Sequence, residues 1–164
     1  MNDEICYISY EDVLKVYRKM IDASEGGFAG VRDEGGILAT LDFVQSDIYY
    51  PTFAEKLCCL VFQFCSGHYF NDGNKRIALT LGAYFLHQNH CPWEACIFMR
   101  QFEAIVYHVA ASNIDQALLL RMMRAFIARE DYDEALKIDI AKAMSRGKLG
   151  FPSEGDNCEG VLIR

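Results

Sequence analysis

"AEKLCCLVFQFCSGHYFNDGNKRIALTLGAYFL", residues 54–86, decides the fold. Two apolar runs of helical periodicity flank a short polar break. In the first run Leu57, Leu60, Val61 and Phe64 recur three and four residues apart, which is one stripe of a helix. Thr52 and Glu55 ahead of it form a capping box, the hydroxyl and the carboxylate each satisfying a free N–H at the helix start. Gly67 closes that helix. After the break, from about Gly73 to His87, a second helix carries Ile77, Leu81, Tyr84 and Phe85 on its inner face. The segment between, "HYFNDGNKR" at 68–76, packs a histidine, an acid, a Gly-Asn pair and two adjacent cations into one helix break.

The same grammar extends in both directions. Towards the N-terminus, Ser9 and Asp12 make another capping box, and Val13, Val16, Tyr17, Met20 and Ile21 follow at helical spacing up to Gly26-Gly27. "GGFAGVRDEGG", 26–36, reads as a mobile loop or a short β-hairpin. Ile37, Leu38 and Leu41 then predict a short helix after Asp33. Towards the C-terminus, "QNHCPW" at 88–93 breaks the chain at Pro92, with Trp93 expected as a core anchor. Phe102, Ile105, Val106 and Val109 mark a further helix. Asn113 is expected to cap another, with Leu118, Leu119, Met122 and Phe126 facing inward. A charged helix spans about 133–145, and "GKLGFPSEGDNCEG" at 147–160 reads as a poorly structured tail. No run alternates with period two, nothing repeats, and no linker divides the chain. The expectation is an all-α fold: one helical domain over 1–130, then a C-terminal helix and flexible tail over 131–164.

Composition bounds the function. Hydrophobic residues are 52% of the 164, enough for a core of its own. The formal net charge of -7 argues against nucleic acid, which calls for clustered Lys and Arg. Seven cysteines is an odd count with no CxxC framework; Cys58, Cys59 and Cys65 lie in apolar helical runs, where a free thiol acts as a small hydrophobe. His87, His90, Cys91 and Cys96 are of zinc-ligand type, but their spacing fits no familiar zinc module, and Cys96 is expected to be buried instead. The acidic start "MNDEICYISYEDV" lacks the basic start and long apolar stretch of a signal peptide, and no apolar run approaches the ~18 residues of a membrane span. A cytoplasmic protein with no membrane partner is the expectation.

The polar break has a chemical logic. A helix starting near Gly73 or Asn74 points unpaired N–H groups and a positive dipole end into the loop, an anion site whose usual occupant is phosphate. Gly73 permits close backbone approach, and Asn74 can donate from its amide. Lys75 and Arg76 add charge, Arg with the fork that phosphate oxygens match. Asp72 would repel a phosphate, a conflict that a bridging Mg²⁺ resolves. His68 lies upstream, a side chain suited to taking a proton from an attacking hydroxyl. Phe70 is expected to point into the core and anchor the loop. The plainer alternative is a helix–loop–helix with an Asp cap, a glycine and a few surface cations, and spacing alone leaves both open.

His68-Tyr69-Phe70-Asn71-Asp72-Gly73-Asn74-Lys75-Arg76 resembles the signature of the Fic/Doc (Fido) family, H-x-F-x-[DE]-G-N-[KG]-R. "GVRDEGGILATLDF" is similar to the Doc-type segment G-x-R-D-x-x-x-L, and the similarity runs from about Ile8 to Ala128. Doc-type (death-on-curing) proteins are the closer relatives, because Lys75 stands where adenylyl-transferring members typically carry glycine. A second arginine often found three positions after the first is Leu79 here.

The resemblance implies an α-helical core with the loop between two of its helices, and a transferase that moves a phosphate-containing group from ATP to a hydroxyl of a target protein. In that scheme His68 activates the hydroxyl, Asp72 holds Mg²⁺, Gly73 and Asn74 shape the anion hole, Lys75 and Arg76 hold phosphates, and Phe70 is the buried anchor. The stretch 25–36 takes the place of a flap that positions the target. Lys75 and Leu79 favour Doc-like phosphoryl transfer; Gly73, typical of Fic loops, favours AMP transfer. A silent nucleotide-binding or partner-binding module is the non-enzymatic rival. The restraining pattern [ST]-x-x-x-E-[GN] does not occur in these residues, so the resemblance points to a separate antitoxin.

Overall fold

The computed structural model describes residues 4–24 and 28–146. The tail read at 147–160 and the Gly26-Gly27 pair lie outside the described residues. Among the described residues eight helices follow one another: α1 (Tyr10–Asp22), α2 (Glu34–Val44), α3 (Phe53–Ser66), α4 (Asn74–Gln88), α5 (Pro92–Gln101), α6 (Glu103–Ala110), α7 (Gln116–Ala128) and α8 (Glu134–Arg146). Among the described residues the only β-type pairing is an isolated antiparallel bridge between Val31 and Phe70. The fold is all-α, as the sequence patterning predicts.

The antiparallel pair α3–α4 is the centre. Helix α3 packs against α2, α4, α6 and α7, and α4 against α1, α3, α5 and α6. That explains why α3 is apolar nearly all round, with Leu57, Cys58, Cys59, Leu60, Val61, Phe64 and Cys65 all buried. Gly82 lets three helices meet: a Cβ there would lie 2.7 Å from Phe98 Cε1 of α5 and 2.8 Å from Val61 Cγ2 of α3. Both capping boxes form, Ser9 with Asp12 and Thr52 with Glu55.

Lys56 is the anomaly in this core. Its side chain is fully buried, yet its ammonium donates to the carbonyl of Val44 (3.1 Å), pairs with Asp47 (2.8 Å) and lies over the Tyr7 ring (5.4 Å). One cation thereby satisfies a free carbonyl in the last turn of α2 and ties it to α3. Desolvation pulls its pKa down, but the bonds to Asp47 and Tyr7 outweigh it and leave the pKa raised.

Four expectations need correction. Pro92 does not merely break the chain; it begins α5, at the first helical position, where a missing N–H goes unnoticed. Trp93 is no core anchor, being 71% exposed. Cys96 is exposed rather than buried. Asp115, not Asn113, caps α7, its carboxylate accepting from Leu118 N–H at 2.8 Å. The side chain of Asn113 instead bonds to Nδ1 of His108 at 3.1 Å. Phe102 serves at once as the end of α5 and the start of α6, buried between Phe98 and Phe126, with ring centroids 4.5 and 5.4 Å away.

Candidate active site

The break at 68–73 is built from both sides. Helix α3 ends at Gly67, whose own backbone stays right-handed; His68 makes the turn instead, at φ +52°. A non-glycine residue in that region carries strain of roughly 1 kcal/mol, and such strain gathers where function holds it. The turn leaves the His68 side chain exposed while Tyr69 and Phe70 go into the core. The Tyr69 hydroxyl shares a 2.7 Å hydrogen bond with Thr40 of α2, and its ring meets Phe64 edge-on. Burial raises the Tyr69 pKa, with the Thr40 bond opposing.

Phe70 is 1% exposed and stacks on Tyr17 of α1 at a centroid distance of 4.0 Å. The Tyr17 hydroxyl donates to the Asp72 carbonyl (3.0 Å) and accepts from Gly30 N–H (3.3 Å). Residues 30–33 lie along the loop: Asn71 N–H donates to Gly30 C=O, and the N–H groups of Arg32 and Asp33 both donate to Tyr69 C=O. So the described part of the expected flap is pinned to the motif by backbone bonds.

Gly73 starts α4 from a left-handed backbone, φ +83°, with no side chain capping the helix. Its own amide is taken by Asp72 Oδ1 at 2.7 Å. The Asn74 side chain braces the loop, accepting from Phe70 N–H (3.0 Å) and donating to Phe70 C=O (2.8 Å). Its part in an anion site is therefore to hold the loop's shape, while its main-chain amide stays at the helix start. Lys75 and Arg76 are both exposed and diverge. Arg76 reaches towards α1, donating to Ser24 Oγ and lying 3.5 Å from Asp72 Oδ2. Lys75 reaches the other way, over the Tyr107 ring of α6.

Asp72, Gly73, Asn74, Lys75 and Arg76 therefore gather at the N-terminus of α4, with Phe70 anchored beneath the loop and His68 exposed at its start. What sequence reasoning missed are the supports from elsewhere: Tyr17, Ser24, Thr40 and Tyr107 carry no motif and are found only through packing. A cavity of about 1050 Å³ lies elsewhere, between α5, α7 and α8 and lined by Ile97, Met122, Phe126 and Ile140 among others. Among the described residues no three His, Cys, Asp or Glu cluster to hold a metal by themselves. Nor is any helix there long and apolar enough to cross a membrane.

An exposed histidine, a carboxylate and two cations lie along the loop and glycine-started helix at the centre of a helical domain. The chain matches the model of the Fic/DOC family over residues 7–86. It is similar to the protein named Toxin Doc of Mycolicibacterium smegmatis (strain ATCC 700084 / mc(2)155), with 29% identity over 126 residues, covering 74% of this chain and 94% of that protein. No solved structure matches the chain.

Proposed function

We propose that this protein transfers a phosphate-containing group from ATP to a hydroxyl of a target protein, and that the group is the γ-phosphoryl. The observation that carries the reading is the start of α4. A left-handed Gly73 opens a helix whose first turn has no side-chain cap, with Asp72, Lys75 and Arg76 at that start and an exposed His68 five residues upstream in the same loop. Free amides, the helix dipole and two cations suit the phosphates of a nucleotide.

His68 takes the proton as the target's oxygen attacks phosphorus. The new P–O bond to the γ-phosphorus forms as its bond to the β-phosphate oxygen breaks, and the charge on the departing ADP is met by Arg76, Lys75 and the helix amides. Phe70 and Asn74 hold the loop still while this happens, so the donors need no rearrangement.

The Asp72 carboxylate fits a Mg²⁺ ion: it is half-exposed, one oxygen is occupied by Gly73 N–H, and the other faces outward beside Arg76. One carboxylate with nucleotide oxygens and water is the ligand set this ion favours. Held by Asp72, Mg²⁺ would supply positive charge to offset that of the phosphates. Arg76, now beside Asp72, is then free to turn its fork to the phosphates.

Lys75 and Leu79 support γ-phosphoryl transfer over AMP transfer; Gly73 is the feature that favours the latter. The likeness to a protein named Toxin Doc supports a toxin-like role with a separate antitoxin as partner. The test is lysate with Mg²⁺ and ATP labelled at either the α- or the γ-phosphate, with His68→Ala as control. Label kept on a protein band from γ-ATP alone is the expected result. Label from α-ATP would make the reaction AMP transfer, and equal labelling by His68→Ala would sink the mechanism. ATP binding without any labelling would indicate a silent binding module.

A further inference from the structure

Lys75 and Arg76 are neighbours in sequence but leave α4 in opposite directions, and each has its own support. Arg76 is held by Ser24 and Asp72. Lys75 has no carboxylate partner among the described residues; its Nζ sits 4.9 Å from the centroid of the Tyr107 ring. Tyr107 is 61% exposed, on an outward face of α6, so hydrophobic burial is not what places it there. Its backbone is fixed, with Ala111 N–H on its carbonyl at 3.0 Å, and the α6 helix is anchored beneath by Ile105, Val106 and Val109.

We infer that Tyr107 is a positioning residue for phosphate capture: its ring face holds the Lys75 ammonium near the start of α4, so that an incoming phosphate meets one cation already in place. The inference rests on the reading that ATP phosphates bind at this helix start. A lysine has a flexible four-carbon stem and loses rotamer freedom when it engages a ligand. A ring face takes up one side of the ammonium and leaves N–H donors for phosphate oxygens, so holding and binding do not compete. The ring also contributes no negative charge, which a carboxylate partner would add to an anion site. Close packing supports the same placement, since the charge of Lys75 is near enough to Cys65 of α3 to offset part of the burial that pushes that thiol up to about 11.

The experiment has two arms on the full chain. In the first, lysines are reductively methylated with ¹³C and Lys75 is assigned by loss of its signal in Lys75→Arg. Its methyl resonances are expected upfield through the ring current of Tyr107, and back among ordinary lysines in Tyr107→Leu. In the second, MgATP affinity and transfer rates are measured on unmethylated protein. Tyr107→Leu is expected to weaken MgATP binding, and to raise KM, about 2- to 5-fold with kcat little changed, the range that an exposed cation–π contact covers. Tyr107→Phe keeps the ring and is expected to stay within about twofold of the wild type.

An unshifted Lys75 signal in the wild type overturns the inference, as does a Tyr107→Leu protein that binds MgATP as well as the parent. If Lys75→Ala still weakens binding in that case, the proposed function stands without Tyr107. A wild type that binds no MgATP, with Lys75 nonetheless upfield, fells the functional reading and the phosphate role of Tyr107 together.

Discussion

Tyr17 and Phe70 stack face to face, ring centroids 4.0 Å apart and planes inclined by 22°, and this pair joins α1 to the motif loop. The Tyr17 hydroxyl extends the link by bonding both Asp72 C=O and Gly30 N–H. Tyr17→Phe keeps the stack and loses those bonds, at an expected cost of about 1–2 kcal/mol. Phe70→Ala empties a fully packed site and is expected to cost about 3–5 kcal/mol. Urea denaturation of the two variants checks both; equal losses would mean that the stack contributes nothing beyond the hydroxyl.

His68 and Gly73 are both left-handed, but only one of them is glycine. His68→Gly relieves strain and is expected to raise stability by about 1 kcal/mol while abolishing transfer. Gly73→Ala does the reverse. It places a methyl group 2.8 Å from the flexible end of Met20 and forces an alanine into φ +83°, for an expected loss of about 1 kcal/mol. Thermal melts paired with the labelling assay read the two opposite signs.

Lys56 separates charge from shape. Lys56→Met preserves most of the volume, and Asp47, whose side chain is 81% exposed, returns to water without a buried charge. The Val44 carbonyl loses its donor, so a cost of about 1–3 kcal/mol is expected. Lys56→Ala adds a cavity and is expected to lose more, about 2–5 kcal/mol. If methionine proves as costly as alanine, the ammonium and not the stem is what α2 and α3 require.

Acid should loosen α3 in a defined direction. The Glu55 carboxyl is held below its usual value of 4.5, first by the Thr52 hydroxyl, then by the Thr52 N–H, with Arg124 adding to it at 2.9 Å. A folded pKa below the unfolded one means that the unfolded chain binds the extra proton, so stability falls as pH falls. The contribution is complete above about pH 4.5 and is lost as pH drops through the lowered folded value. Melting temperature against pH should therefore fall less steeply below pH 4.5 in Glu55→Gln. Parallel curves would show that the capping box carries no titrating stabilisation.

Much of the molecule is legible along the chain because the relevant physics is local. Capping boxes at Ser9/Asp12 and Thr52/Glu55 act over three residues, and the stripes of α3 and α4 follow the helix period. The motif is likewise contiguous, so His68, Phe70, Asp72 and the residues up to Arg76 could be named in advance. Trp93 and Cys96 were misjudged for a related reason: hydrophobicity is a property of the residue, whereas burial depends on which face of α5 meets α4, and both point away from it. Pro92 shows the same limit, since a proline that stops one helix can start the next.

The sequence by itself determined the helices, the place where they break and the chemistry concentrated in that break. Only the tertiary structure decided how the break is held and where its charges point. Tyr17, Ser24 and Thr40 reach the loop across gaps of 29 to 55 residues, and Tyr107 lies far along the chain from Lys75. No periodicity or spacing encodes such contacts, because they arise when separate helices bury their apolar faces against α3 and α4 and carry their polar residues to the same end.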